Sequence, residues 1–131
     1  MVKERFAGVV MHGVMVAGLS LAISVGPAWA QATLFDNLGA LHHEMTTTSD
    51  RAGKFFDQGL RLVYAFNHEE AIAAFTEASR LDPDAPMPYW GVALSLGPNI
   101  NAAMDPKAEP RAIEALHKAT LRLAQATPRE R

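Results

Sequence analysis

The chain contains no cysteine, which removes disulfides, thiolate catalysis, cysteine metal sites and a lipid-anchored N-terminal cysteine together. It also lacks a basic patch. Lys and Arg occur singly along the sequence, so the electrostatic footprint of nucleic-acid binding is missing. No nucleophile sits in catalytic surroundings: Ser49, Ser79 and Ser95 have no glycine-rich elbow, and Ser95 falls inside an apolar helical stretch. The carboxylate pairs Glu69-Glu70 and Asp82/Asp84 fall at expected helix ends, where dipoles and turns give them ordinary work. Met45, Met87 and Met104 are scattered and form no copper motif. These absences lead us to expect no catalytic activity, no cofactor and no metal.

What is present begins with an address. Lys3 and Arg5 form a short positive region, an apolar run follows from Phe6 to Val25, and Gly26-Pro27 breaks it before Ala28-Trp29-Ala30. That is the layout of a secretory signal peptide over residues 1–30, cleaved before Gln31. A retained anchor is the competing reading, because about 20 apolar residues span a bilayer; His12 and Gly13 interrupt this run. The expected location is periplasmic or secreted, with membrane contact only through the signal segment. Removal of Lys3, Glu4 and Arg5 with that segment leaves 101 residues carrying ten basic and thirteen acidic side chains, a net charge of −3. An exported domain of this size without disulfides must be held by packing alone.

Residues 31–50 form an arm and loop. Leu34, Phe35, Leu38 and Leu41 recur at helical spacing and predict a short helix, after which Met45–Ser49 reads as a loop. Ser49 is the expected N-cap of a helix running to Phe66, with Phe55, Phe56, Gly59, Leu60, Leu62 and Tyr64 on a wide apolar face. Asn67 and Glu70 have capping-box spacing for the next helix, which Pro83 ends.

The sequence then echoes itself. At a shift of 34 residues Phe55 meets Tyr89, Phe56 meets Trp90, Leu60 meets Leu94 and Leu62 meets Leu96. At a shift of 41, Ala71 meets Ala112, Ile72 meets Ile113, Phe75 meets Leu116 and Ala78 meets Ala119. The difference is absorbed by an expanded connection over residues 97–110. Two helix pairs are therefore expected, residues 51–84 and 85–126, followed by a tail or helix start over 127–131. Pro88 and Pro110 fit the first turns of the third and fourth helices.

Phe55-x2-Gln58-Gly59-x2-Leu62, then Ala71-x3-Phe75, Ala78 and Pro83, resembles the tetratricopeptide repeat. Gln58 stands where that pattern has leucine and Leu62 where it has tyrosine; Ala93 replaces the glycine in the second copy. The stretches FFDQGLRLVYAFNHEEA, YWGVALSLGPNIN and ATPRER also resemble the opening of longer exported bacterial tetratricopeptide proteins of unassigned function. The resemblance implies an all-α solenoid of antiparallel helix pairs, with the first helix of each pair lining a concave groove for a protein or peptide. That groove would be lined by Phe56, Asp57, Leu60, Val63 and Tyr64, then by Trp90, Gly91 and Leu94. Self-association through the open C-terminal end is a second partner reading.

A different class of function draws on His42, His43, His68 and the Asn99–Asn101 loop as a ligand- or metal-binding accessory site. The spacing argues against it. His42-His43 are adjacent, His68 has Ile72 four residues on, and His117 has Leu121 there. Asn99 and Asn101 fit the end of a helix as well as a ligand.

Overall fold

The computed structural model describes residues 32–131, so the signal segment expected over residues 1–30 lies outside the described residues. The described chain is all-α, with helices α1 (Asp50–Tyr64), α2 (His68–Leu81), α3 (Pro86–Leu96) and α4 (Glu109–Thr120). None of the described helices is long and apolar enough to cross a membrane.

Local chemistry sets the boundaries. Ser49 Oγ accepts the Ala52 N–H at 3.2 Å and caps α1. At the far end, Phe66 adopts a left-handed φ of 59°. This lets the Asn67 N–H reach back to the Leu62 carbonyl at 2.9 Å, the closing bond of a Schellman motif. Asn67 precedes α2, but its side chain makes no capping bond, so the expected capping box does not form. Glu69 and Glu70 still lie in the first turn, where they favour the helix dipole. Pro86 and Pro88 start α3, and Pro110 lies in the first turn of α4, where a missing N–H costs little.

Phe75 of α2 is the centre of the packing. A Cβ added at Gly59 of α1 or at Gly91 of α3 would fall 2.5 Å from its ring. Two glycines on two helices thus admit one fully buried aromatic side chain between them. The Phe56 ring lies 5.4 Å from that of Phe75 at a tilt of 55°, a favourable aromatic arrangement. Ala52, Ala71, Ala74 and Ala78 are fully buried around this cluster and let α1 approach α2 closely. Ala112, Ala115 and Ala119 form the corresponding buried face of α4, which packs on α3.

The segment before α1 departs from expectation: Ala32–Ser49 contains no helix. Polar side chains of α1 capture its backbone along an irregular course that bends at Asp36–Leu38. Gln58 bonds the Phe35 N–H and the Thr33 carbonyl, both at 2.8 Å. Asp57 accepts the His43 N–H at 2.9 Å, and Arg61 donates to the Leu41 carbonyl. A helix through Leu34–Leu41 would have to surrender these bonds. Leu34, Phe35 and Leu41 stay partly exposed, while Leu38 packs against the core.

Two carboxylates close the structure. Asp82, at the end of α2, accepts from Thr47 Oγ1 at 2.6 Å and from the Thr48 N–H at 2.7 Å. Glu130 accepts from the Thr46 N–H and Oγ1, both at 2.6 Å, and from the Thr127 N–H at 2.7 Å. Residues 127–131 are therefore a docked turn rather than a loose tail. Arg122, just past the end of α4, lies with its guanidinium 4.4 Å above the Tyr89 ring of α3.

Candidate partner-binding surface

The residues expected to line one groove divide into two groups. Phe56 and Leu60 are buried, as is Gly91, whose surface is taken up by the Phe75 ring. Asp57 is buried too, with its carboxylate committed to His43 and to His42. For these four the groove reading is corrected: they pack the interior or hold the arm. The 34-residue shift misses the role of Gly91 because it aligns equivalent positions within pairs, whereas Phe75 of the first pair meets Gly91 of the second. Val63 is partly buried against the core cluster.

Tyr64, Trp90 and Leu94 remain at the surface, with 72 %, 37 % and 40 % of their area exposed. They come from α1 and α3, two helices in contact with each other. Phe66 joins them on exposure, at 52 %. It is the residue that sequence reasoning passed over, since only the backbone reveals what is unusual about it. A bulky side chain occupies the left-handed position where glycine ordinarily ends a helix, at a cost of about 1–2 kcal/mol. Its ring also stands edge-on to His68, centroids 6.1 Å apart.

The histidine and asparagine alternative does not assemble. His42 Nδ1 bonds Asp57 Oδ2 at 2.7 Å, and both ring nitrogens of His68 are buried without a partner. The ring of His43 lies 6.0 Å from that of Phe56. Among the described residues no group of three or more His, Asp or Glu side chains is placed to hold a metal ion. Asn99 exchanges backbone bonds with Ala102, and its Oδ1 accepts the Asn101 N–H at 2.8 Å, which makes the loop a self-contained turn.

Electrostatics act at the arm and at the helix ends. The hydrogen bond and charge of Asp57 raise the His42 pKa above its ordinary 6.5. Burial pushes Asp82 upward, but donors from Thr47, Thr48 and Asp84 outweigh it and hold the carboxyl below its ordinary range. Glu130 behaves alike, with Thr46 and Thr127 as the donors. A cleft of about 180 Å³ lies between the arm and α1, and another of about 180 Å³ lies among α2, α3 and α4. Both are smaller than the roughly 300–1,000 Å³ that small-molecule sites enclose.

Compared with family models, curated proteins and solved structures, the chain finds no match in any of the three.

Proposed function

We propose that this chain is an exported, non-catalytic protein-interaction module of the tetratricopeptide type, its two helix pairs forming a short α-solenoid. The internal repeat in the sequence supports the type, and the apolar run before Gln31 supports export. One observation carries the interaction role. Tyr64, Phe66, Trp90 and Leu94 are exposed large apolar side chains in a small, helix-built domain, and Phe66 is kept in a conformation that a glycine would hold at lower cost. Exposed aromatics of this kind supply large contact area at low entropic cost, and interface hot spots are enriched in Trp and Tyr. The partner is a protein or peptide; the basic patch that nucleic acid requires is missing.

The test is a capture experiment from periplasmic extract with the wild-type chain and with Tyr64→Ala and Trp90→Ala. The proposal expects a protein retained by the wild type and lost from both variants, while their helical circular dichroism stays unchanged. Retention of the same proteins by all three chains would defeat it.

A further inference from the structure

We infer that the edge of α1 formed by Asp57, Gln58 and Arg61 is a docking site for a non-helical chain segment, and that the Ala32–His43 arm of a second copy is its occupant in trans. This inference stands apart from the aromatic surface proposed above and survives if that surface fails.

The arm shows what the edge recognises. Gln58 is only 2 % exposed, yet its carboxamide spends both functions on the arm: Nε2–H donates to the Thr33 carbonyl and Oε1 accepts the Phe35 N–H, each at 2.8 Å. Asp57 takes the His43 N–H at 2.9 Å and His42 Nδ1 at 2.7 Å, and Arg61 donates to the Leu41 carbonyl. Only the His42 bond involves an arm side chain. The same bonds form whichever copy supplies the arm, so exchange alters little in the contacts themselves.

The arm is also built to leave as a unit. Gly39 lies between the two clamped stretches at φ 82°, with no heavy atom within 4 Å of an added Cβ. Beyond the exposed Glu44 the chain rejoins its own body at buried Met45 and at Thr46–Thr48, held by Glu130 and Asp82. Exchange of an identical element across such a short connection is a low-cost route to a dimer. Each copy that donates an arm vacates its own edge for the other, so the exchange closes on a two-fold dimer. A short tether gives the resident arm an effective concentration on the order of millimolar, and exchanged pairs should rise as the chain approaches it.

The lack of native cysteine makes the test direct. Leu34 of the arm and Lys54 of α1 line the same cleft, so a Leu34→Cys, Lys54→Cys double variant should be joined within one chain by a flexible bis-maleimide at micromolar concentration. If it does not, the docked arm is wrong and the inference falls with it. Single variants are then mixed at roughly millimolar concentration with the same cross-linker, and cross-linked mixed dimers are identified by mass. The expected result is severalfold more Leu34→Cys/Lys54→Cys dimer than in a mixture of Lys54→Cys with Ile100→Cys, a loop position 88 % exposed. Adding Gln58→Ala to the Lys54→Cys chain should return the yield to that of the Ile100→Cys mixture. Equal yields in the two mixtures would overturn the inference.

Discussion

Gly91→Ala isolates the packing around Phe75. In an open helical position, replacing glycine by alanine stabilises by about 1 kcal/mol, because alanine restricts the unfolded chain and favours the helix. Gly53 of α1 is such a position, with nothing within 4 Å of an added Cβ. At Gly91 the added carbon would lie 2.5, 2.6 and 2.7 Å from three Phe75 ring atoms, and the ring has no retreat because an added Cβ at Gly59 would also be 2.5 Å from it. Overpacking of this kind costs about 1–3 kcal/mol, and a clash this deep belongs toward the upper end. The net expectation for Gly91→Ala is a loss of about 1–2 kcal/mol, against a gain of about 0.5–1 kcal/mol for Gly53→Ala. For a domain of about 100 residues each kcal/mol moves Tm by roughly 4–8 °C. Urea and thermal unfolding followed at the helical circular dichroism band should therefore show shifts of opposite sign. Phe75→Leu combined with Gly91→Ala should cost less than the two changes summed, because the leucine yields the space that the methyl needs. Stabilisation by Gly91→Ala matching that of Gly53→Ala would refute this description of the core.

Further outcomes follow from other residues. Phe66→Gly should stabilise the chain by up to about 1–2 kcal/mol, by relieving the left-handed cost, while weakening partner capture; an unchanged or lower Tm would show that the Phe66–His68 contact outweighs the strain. Gln58→Ala should leave the four helices intact and speed hydrogen exchange at the Phe35 amide, so preserved protection there would disprove the clamp. The His42–Asp57 bond should help hold the arm fully below pH 6.5, the ordinary value, and lose that contribution as pH rises through the raised folded value. Exchange at the His43 amide, corrected for intrinsic rate, reports this profile, and His42→Gln should flatten it. Asp82 and Glu130 act at the opposite end: their depressed folded values give stability that is present above the ordinary carboxyl range and lost as pH falls through them. Asp82→Asn should cost about 1.5–3 kcal/mol at neutral pH and reduce the acid sensitivity of unfolding.

The helices were legible because their signals are local. The Ser49 cap, the apolar face from Phe55 to Leu62 and the prolines at α3 and α4 are each settled within a turn or two of sequence. The arm was misread for the opposite reason. Its apolar spacing fits a helix, and what overrides that spacing is a set of bonds from Asp57, Gln58 and Arg61, more than a dozen residues away. Gln58 was visible as a departure from the tetratricopeptide pattern, but its use on a backbone could not be read from residue type. The surface divided in the same way. Tyr64 is exposed although it shares the apolar spacing of the buried Phe56 and Leu60, and Gly91 and Phe56 face Phe75, a contact between elements that helical spacing alone does not specify. Phe66 left no trace in the sequence, because left-handed geometry at a bulky residue is visible only in the backbone.

Site-specific photo-crosslinking tests the interaction role most directly. A photoreactive phenylalanine analogue placed at Tyr64, at Trp90 or at the exposed Thr76 of α2 would be activated in periplasmic extract and the adducts resolved by mass. The proposal predicts one shared protein adduct at positions 64 and 90 and none at 76. Equal labelling at all three positions, or no discrete adduct at either aromatic position, would contradict it.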